Sequence, residues 1–460
     1  MKTYYLAVDI GASSGRHILG SVSDGKIELE EVFRFPNGNE KKNGTRVWNY
    51  QNLFENLLKG LEKCKEIEKI PAFMAIDTWG VDFGLLDENG FLIGDVVAYR
   101  DKRTDGMDAE VEKIISFEEL YSRTGIQKQI FNTVYQLMAL KKNSPESLES
   151  ADSLLMMPDL LNFSLTGTKH QEYTNASTTG LLSAQSGDWD TELINRLGYP
   201  ERLFQKLYFP GERVGTLKKE IVERIGFDLT VLHAPSHDTA SAVLAVPSFS
   251  ENSLYISSGT WSLMGIESKS PTVGKTAREY NFTNEGGYAM RYRFLKNIMG
   301  LWIIQSIKEE LKQYSFSELC DIAIATYDDG TRIDVNSPAF LAPESMLNAI
   351  REYCKRPDMT VGEILVCVYH SLAQSYAEVA AQIKEITKKE PEALHIVGGG
   401  SHDVFLNRLT KESCDIPVIT GPTEATAIGN ILSQMLSNGE FTSIDNARAA
   451  IRNSFNIIQI

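Results

Sequence analysis

A pattern of strand, small-residue turn and strand occurs twice in this sequence, once at the N-terminus and once in the second half. In the first copy, a strand is predicted at residues 4–9, a turn at 11–15 and a second strand at 16–22. In the second copy, a strand is predicted at 254–257, a turn at 258–260 and a second strand at 261–266. The two copies share shape more than residue identity. A chain that opens each half in the same way is predicted to contain two duplicated domains.

The remainder of the sequence mixes strands and helices. Asp24-Gly25 marks a hairpin turn into a third strand at 27–35, so the N-terminus reads as a β-meander. Apolar residues from Ile364 to Ile383 recur on one face of a long helix, and a short strand at 394–397 follows. This mixture predicts α/β layers and argues against an all-α or an all-β fold.

The chain length and a short polar segment suggest how many domains there are and where they divide. A chain of 460 residues is long enough for several domains, at roughly 100–200 residues each. The segment 247–252 is short, polar and interrupted by proline, and it directly precedes the second strand–turn–strand pattern. We therefore predict domains at residues 1–247 and 248–460.

Charge and cysteine usage exclude several classes of protein. The chain has 46 Lys and Arg against 61 Asp and Glu, a net charge of −15, which argues against a broad nucleic-acid binder. The apolar stretch before Asp9 is too short for a secretory signal, and no apolar run is long enough to cross a membrane. The five cysteines are scattered without a C-x-x-C pair, so we expect a reducing, cytoplasmic location without membrane partners.

The turn at residues 11–15 is a candidate phosphate site. Glycine and small hydroxyl residues let the backbone bend and offer N–H groups to an anion, and Arg16 adds a positive charge. Asp9 ends the preceding strand, where its carboxylate could hold a hydrated Mg²⁺ beside phosphates. The alternative is a hairpin turn with a capping aspartate.

Two later motifs also suit binding or catalysis. Gly398-Gly399-Gly400 lies between a strand and a predicted helix at 402–410, where glycines would let a ligand approach the backbone; the alternative is a flexible connection. Asp238 precedes an apolar, helix-like run and is predicted near a helix N-terminus, where the helix dipole favours its anion. An ordinary N-cap aspartate is the alternative.

The stretch from Asp77 to Asp82 has the composition of a sugar site. Two carboxylates, the indole of Trp79 and a glycine follow a buried strand. An aromatic face can cover the C–H bonds of a sugar while carboxylates accept its hydroxyl protons, so Asp77 and Trp79 are candidate sugar contacts. The alternative is a tryptophan that covers the core.

Taken together and in this order, these motifs resemble the FGGY family of sugar kinases and, within it, the branch that acts on L-rhamnulose. The resemblance covers nearly the whole chain. Its most specific stretches are Asp-Thr-Trp-Gly-Val-Asp at 77–82 and Ser-Ser-Gly-Thr-Trp-Ser-Leu-Met-Gly at 257–265. The other matching stretches are 7–16, 98–107, 157–168, 172–182, 236–243, 283–305, 394–409 and 421–431.

The resemblance implies a fold and an activity. The fold is a pair of actin-like (ribonuclease H-like) α/β ATPase domains with a central nucleotide cleft. The first domain lies on the sugar and phosphate side and the second on the nucleotide side. The implied reaction is phosphorylation of L-rhamnulose by ATP with Mg²⁺, giving L-rhamnulose 1-phosphate and ADP in L-rhamnose catabolism.

The resemblance also implies roles for individual positions. Phosphate-handling positions match Ala12, Ser13, Ser14, Gly15, Arg16 and Thr260. Other positions around the nucleotide match Asn297, Gln305, Gly399 and Gly400. Sugar-contacting positions match Gly80, His237, Asp238 and Thr239, and Asp238 also matches the catalytic base. Asp403 departs from the family, which often has asparagine there, so it is left out of the site.

Two alternatives remain open from the sequence. A kinase of the same fold could act on another ketose, such as L-fuculose or D-xylulose. A nucleotide-switched interaction protein of the actin-like fold would share the phosphate turns but would have no use for Asp238 or the 77–82 cluster. Partners are therefore expected to be ATP and a small sugar, and the chain is expected to be a monomer or a homodimer.

Overall fold

The computed structural model describes residues 2–460. The chain divides into two compact units. Unit 1 comprises residues 2–245, Ser268–Phe294 and Thr426–Ser454. Unit 2 comprises Val246–Glu267, Leu295–Ala425 and Phe455–Ile460.

The strands are β1 Tyr5–Ile10, β2 Ser14–Ser23, β3 Lys26–Pro36, β4 Asn39–Lys42, β5 Thr45–Trp48, β6 Phe73–Thr78, β7 Phe83–Leu86, β8 Ser153–Met156, β9 Gln171–Glu172, β10 Leu207–Tyr208, β11 Arg213–Thr216, β12 Thr230–Leu232, β13 Leu254–Ser258, β14 Ser262–Ser268, β15 Thr283–Gly286, β16 Tyr292–Ile298, β17 Leu394–Val397, β18 Val418–Thr420 and β19 Ile458–Gln459. The helices are α1 Tyr50–Glu66, α2 Met107–Glu112, α3 Phe117–Thr124, α4 Thr133–Asn143, α5 Pro145–Ser150, α6 Met157–Thr166, α7 Tyr173–Ala176, α8 Thr191–Leu197, α9 Lys219–Ile225, α10 Asp238–Leu244, α11 Lys275–Glu279, α12 Trp302–Glu310, α13 Phe316–Ala325, α14 Met346–Cys354, α15 Val361–Thr387, α16 Val404–Cys414, α17 Ala425–Ser437 and α18 Ile444–Ser454.

Unit 1 is built on a six-stranded sheet in the order β11-β12-β6-β1-β2-β3. Strands β1, β2 and β3 pair antiparallel, which confirms the predicted meander, while β6 pairs in parallel with both β1 and β12. One face of the sheet packs against Leu53, Leu57 and Leu61 of α1. The other face packs against Ile431 and Met435 of α17.

Unit 2 repeats this arrangement. Strand β13 pairs antiparallel with β14 and parallel with β17, which pairs in parallel with β18. The order β14-β13-β17-β18 therefore matches the order β2-β1-β6-β12 of unit 1. The duplication predicted from two strand–turn–strand patterns is present as a repeated topology. Helix α15 shows the predicted periodicity, since its buried positions include Ile364, Leu365, Val368 and Leu372.

The two units are discontinuous in sequence. The predicted domain boundary at 247/248 stays a prediction. The compact unit that contains residues 2–245 also includes two later segments, so the units do not divide at a single point in the sequence. Segment Thr426–Ser454 packs with unit 1 since Asn430 and Gln434 of α17 donate hydrogen bonds into the first sheet, at the carbonyl oxygens of Ala75 and Leu6. Among residues 2–460, no helix is both long and apolar enough to span a membrane.

Candidate active site

Three carboxylates of unit 1 come together at the carboxyl end of its parallel strands. Asp9 in β1 lies opposite Asp77 in β6, because these strands pair in parallel register. Thr78, the last residue of β6, forms a bridge with His237. Asp238 is therefore held beside the same strand end, at the first residue of α10, and its predicted place at a helix N-terminus is confirmed.

Asp238 has one occupied and one open carboxylate oxygen. Its Oδ1 accepts the Thr239 backbone N–H at 2.5 Å and the Thr239 hydroxyl at 3.0 Å. The Nε2 of His237 lies 3.4 Å from the same oxygen. Within residues 2–460, Oδ2 accepts no hydrogen bond, and 33% of the side chain is exposed. A hydroxyl brought to this site would therefore meet Oδ2.

The surroundings of Asp238 make it more basic than an ordinary aspartate. Burial raises its pKa, His237 opposes that rise, and the charge of Asp9 adds to it. Hydrogen bonds from Thr239 act in the opposite direction. The dipole of α10 favours the anion, whereas burial favours the protonated form and raises the pKa.

Asp77 is completely enclosed. Its Oδ2 accepts a hydrogen bond from Asn430 Nδ2 at 2.6 Å. Burial raises its pKa well above the usual range, and the charges of Asp9 and Asp238 raise it further. The predicted sugar contact of Asp77 stays a prediction, and full burial of the side chain does not favour it.

Asp9 is paired with Arg16 across the first hairpin. Arg16 Nη2 donates to Asp9 Oδ2 at 2.5 Å, and the two residues are direct neighbours in the β1–β2 ladder. Both side chains are mostly buried. The positive charge predicted to help bind phosphate is therefore directed, in this structure, at the predicted metal ligand.

The donor set suits a weakly held Mg²⁺. Among residues 2–460, no group of three or more His, Cys, Asp or Glu side chains could hold a metal ion. Mg²⁺ is commonly bound by one or two carboxylates together with water and substrate phosphates, and this mode needs no such group. The carboxylate of Asp9 fits that mode, and its assignment as a metal ligand stays a prediction.

The turn after β1 presents its small residues to solvent. Ala12 and Ser13 are exposed at its tip and Ser14 is half-buried. Gly15 is needed for a different reason, because a Cβ there would lie 2.1 Å from the ring of Phe35. Packing alone thus accounts for Gly15, and phosphate binding by this turn stays a prediction.

Trp79 belongs to the core of unit 1 and is only 6% exposed. Its ring packs on that of Trp48, with centroids 4.0 Å apart. Both indole N–H groups donate to Asp82 Oδ2, at 2.9 Å from Trp79 and 2.7 Å from Trp48. These contacts match the core alternative named for Trp79, and its predicted sugar contact stays a prediction. Burial raises the pKa of Asp82 to about 6, although four hydrogen bonds oppose that rise.

The backbone beside Trp79 is held in an unusual conformation. Val81 has φ of 68°, in the left-handed region that β-branched residues rarely adopt. Its N–H donates to Thr178 Oγ1 at 3.1 Å and its carbonyl oxygen accepts from Thr133 Oγ1 at 2.7 Å. A Cβ on Gly80 would lie 3.1 Å from Thr178. Strain of this kind is common near functional sites.

Two residues that were not predicted from the sequence lie beside His237. Glu285 Oε2 is 3.3 Å from His237 Nδ1 and 3.2 Å from Arg293 Nη2. Arg293 is fully buried, and its Nε donates to the carbonyl oxygen of Gly286 at 2.8 Å. Burial alone would raise the pKa of Glu285, but the charge of Arg293 lowers it. Both residues fall within the stretch 283–305, although neither has a local motif that would single it out.

In unit 2, the predicted nucleotide residues lie on four elements. Thr260 follows β13, Gly399 and Gly400 follow β17, Asn297 lies in β16 and Gln305 lies in α12. The Thr260 hydroxyl donates to Gln305 Oε1 at 3.2 Å, which brings two of them together. Gly398 has φ of 85°, and a Cβ on Gly400 would lie 1.9 Å from Ser258 Oγ. Asn297 Oδ1 is buried without a hydrogen-bond partner among residues 2–460.

The connection after Gly398 differs from the prediction. A 3₁₀ turn at Gly399–His402 comes first, and α16 begins only at Val404, later than the predicted helix at 402–410. Asp403 caps α16 by accepting the Leu406 N–H at 3.0 Å. Its carboxylate is therefore used within unit 2.

Family models match both halves of the sequence. Residues 4–245 match the N-terminal domain of the FGGY family of carbohydrate kinases, and residues 254–437 match its C-terminal domain. The chain belongs to the FGGY family. It is a carbohydrate kinase, and it has the two-domain, actin-like α/β fold of that family. The predicted boundary at 247/248 falls between the two matched segments.

Individual relatives are similar over the full length. The chain is 46% identical to rhamnulokinase of Halalkalibacterium halodurans, covering 99% of this chain and 98% of the relative. It is 45% identical to rhamnulokinase of Oceanobacillus iheyensis, with the same coverage. A crystal structure of xylulose kinase from Lactobacillus acidophilus superposes with a TM-score of 0.81 at 15% identity, covering 99% of this chain and 93% of that one. This FGGY chain is therefore expected to use a nucleoside triphosphate and a divalent metal, as carbohydrate kinases of the family do.

Proposed function

We propose that this FGGY kinase transfers the γ-phosphoryl group of ATP to L-rhamnulose, giving L-rhamnulose 1-phosphate, with Asp238 as general base. The observation that carries the proposal is the Asp238 carboxylate, with Oδ1 occupied by internal donors and Oδ2 open. The two relatives named rhamnulokinase support the choice of sugar. The place of this reaction in L-rhamnose catabolism follows from that choice.

The chemistry follows from the geometry of Asp238. A primary alcohol is a poor nucleophile at neutral pH, and a carboxylate within hydrogen-bond reach can remove its proton as attack proceeds. The raised pKa of Asp238 makes its carboxylate a stronger base, which favours removal of the hydroxyl proton. Positioning and charge neutralisation account for most of the remaining catalysis in phosphoryl transfer.

The remaining predicted site residues divide between the two substrates. Gly80, His237 and Thr239 are proposed to contact the sugar, since they adjoin Asp238 or the strained segment at Val81. Residues proposed for the nucleotide are Ala12, Ser13, Ser14, Gly15, Arg16, Thr260, Asn297, Gln305, Gly399 and Gly400. Mg²⁺, held in part by Asp9, would neutralise phosphate charge near the acidic strand ends.

The protein is further proposed to work in the cytoplasm, as a monomer or a homodimer. Cys64, Cys320, Cys354, Cys367 and Cys414 are all free thiols, which fits a reducing compartment. Light scattering coupled to size-exclusion chromatography would distinguish the two oligomeric states.

A ketose panel tests the proposed function. ADP release is measured with Mg-ATP and, in turn, L-rhamnulose, L-fuculose, D-xylulose, L-ribulose and glycerol, and ³¹P NMR identifies the phosphorylated position. We expect the highest kcat/KM with L-rhamnulose and phosphate on C1. A clear preference for another ketose would make that ketose the substrate and leave the proposed phosphoryl transfer unchanged. Slow ATP hydrolysis that no sugar stimulates would instead favour a nucleotide-switched interaction protein.

A further inference from the structure

The imidazole of His237 links the Asp238 carboxylate to a buried arginine. One ring nitrogen, Nε2, lies 3.4 Å from Asp238 Oδ1. The other, Nδ1, lies 3.1 Å from Arg293 Nη2 and 3.3 Å from Glu285 Oε2. A neutral imidazole has one N–H and one lone pair. The position of its proton therefore decides whether Asp238 faces a donor or a lone pair.

Arg293 is fixed in place and can act only as a donor. It is fully buried, and its Nε donates to the carbonyl oxygen of Gly286 at 2.8 Å. A guanidinium stays protonated and has no acceptor atom. The contact between Arg293 Nη2 and His237 Nδ1 is consequently a hydrogen bond in which Nδ1 accepts. The proton of the neutral ring is then on Nε2, toward Asp238.

We infer that Arg293 is a positioning residue that holds His237 as the Nε2–H tautomer, so that a ring N–H, and not a lone pair, faces Oδ1 of Asp238 and Oδ2 is left for the sugar hydroxyl. The inference rests on the proposed role of Asp238 as general base. It agrees with the hydrogen bonds of Thr239, whose backbone N–H and hydroxyl both donate to the same Oδ1. Two hydrogen bonds from Thr239 and the facing Nε2 of His237, 3.4 Å away, orient the carboxylate through one oxygen and leave the second oxygen open.

Glu285 shows why the arginine is needed. Its Oε2 also faces His237 Nδ1, and in the absence of Arg293 it would attract a proton to that nitrogen. The ring would then turn a lone pair toward Asp238 or become a cation between two carboxylates. With Arg293 present, Glu285 lies 3.2 Å from the guanidinium and compensates its buried charge.

The tautomer can be measured directly in the full-length enzyme. Two-bond ¹H–¹⁵N correlation spectra of protein labelled with ¹⁵N-histidine distinguish Nδ1–H, Nε2–H and the imidazolium, and His237→Gln assigns the signal. We expect the Nε2–H tautomer, in which Nδ1 carries no proton. An Nδ1–H or imidazolium signal in the wild-type enzyme would overturn the inference without recourse to any variant.

Replacement of the arginine tests its effect on turnover. Arg293→Met keeps the side-chain volume close and removes the donor. We expect the ring proton to leave the Nε2–H state and kcat to fall about tenfold or more, with KM for ATP unchanged within about twofold. Arg293→Lys, which retains a donor, should recover part of kcat. Wild-type turnover in Arg293→Met, or an unchanged tautomer, would contradict the inference.

Arg448 supplies a matched control, because it contacts the C-terminal end of α10, the helix that begins at Asp238. It is buried and donates to the carbonyl oxygens of Val243 and Leu244, at the end of α10. Arg448→Met should lower thermal stability as Arg293→Met does, but it should leave the tautomer and kcat unchanged. An equal loss of kcat in both variants would reduce Arg293 to a structural role. Retained turnover in Asp238→Asn would refute the base itself, whatever the tautomer of His237.

Discussion

The two strand ends that open the halves of this chain have one topology and opposite chemistry. In unit 1, β1 lies between the antiparallel β2 and the parallel β6; in unit 2, β13 lies between β14 and β17 in the same relation. The first edge carries Asp9, Asp77 and the neighbouring Asp238. The second carries hydroxyl groups and glycines, among them Thr260 and Gly400.

The difference assigns separate tasks to the two edges. Carboxylates hold protons and metal ions, but they repel phosphate unless a cation intervenes. Hydroxyl groups and backbone N–H groups can bind phosphate without that repulsion. The duplicated topology thus provides two equivalent positions. Under the proposed function, the first combines the catalytic carboxylate with the phosphate turn at 11–15, and the second binds the rest of the nucleotide.

Removing the charge of Asp238 should have the largest effect. In Asp238→Asn, we expect kcat to fall about 10²–10⁴-fold, because an amide cannot accept the hydroxyl proton. Steady-state ADP release with L-rhamnulose measures the loss. Asp403→Asn is the matched control in unit 2, since asparagine caps a helix as well as aspartate does, and its kcat should stay within about twofold. Similar losses of kcat in both variants would contradict the contrast drawn between the strand ends of units 1 and 2.

Stability toward acid should distinguish the two units next. His17 of β2 is fully buried against the carbonyl oxygen of Leu57, and burial lowers its pKa to about 4. Because the folded-state pKa lies below the unfolded value of about 6.5, the folded state loses up to about 3 kcal/mol as pH falls from 6.5 to 4.

The variant His17→Gln isolates this contribution. The wild type should be the more stable protein at pH 7, and its advantage should shrink as pH is lowered through this window. Hydrogen exchange of β2 peptides at each pH measures the opening free energy in unit 1. If the stability difference between the wild type and His17→Gln stayed constant from pH 7 to pH 4, the pKa of His17 would not be lowered by burial.

Adding single methyl groups to the glycine turn of unit 2 should give a smaller effect. The Cβ of Gly400→Ala would lie 1.9 Å from Ser258 Oγ, so we expect a loss of about 1–3 kcal/mol of stability and a higher KM for ATP. Gly399→Ala meets no atom within 4 Å and should change stability by less than about 0.5 kcal/mol. Thermal unfolding compares the stabilities of the two variants. Equal stabilities would show that a Cβ at position 400 does not clash with Ser258.

Loss of the Thr260 hydroxyl should have the smallest effect. Thr260→Val removes the hydrogen bond to Gln305 Oε1, a contribution of about 0.5–1.5 kcal/mol. KM for ATP should rise about two- to tenfold while kcat holds, and Thr260→Ser should recover the wild-type value. A fall in kcat with KM unchanged would place Thr260 in the reaction, against the division of tasks argued above.

Local features could be predicted from the sequence because neighbouring residues determine them. The β-meander follows from an apolar run and the Asp24-Gly25 turn, and α15 follows from its apolar period. The helix start at Asp238 is likewise local. The repeated strand–turn–strand pattern predicted the duplication, since each copy contains its own hairpin.

Features that depend on distant contacts could not be predicted in this way. Asn430 reaches Asp77 from α17, so the compact unit is discontinuous although no local sequence feature shows it. The left-handed conformation of Val81 is imposed by surrounding hydrogen bonds and opposes the preference of a β-branched residue. Glu285 and Arg293 contact each other and His237 only because β15 and β16 place them there.

Single-turnover phosphoryl transfer tests the role of Asp238 most directly. Rapid-quench experiments with excess enzyme, Mg-ATP and L-rhamnulose measure the chemical step apart from product release, and titration calorimetry measures sugar affinity in the same preparations. The account predicts that Asp238→Asn binds L-rhamnulose normally and transfers phosphate at least about 100-fold more slowly. A wild-type rate of transfer in that variant would contradict it.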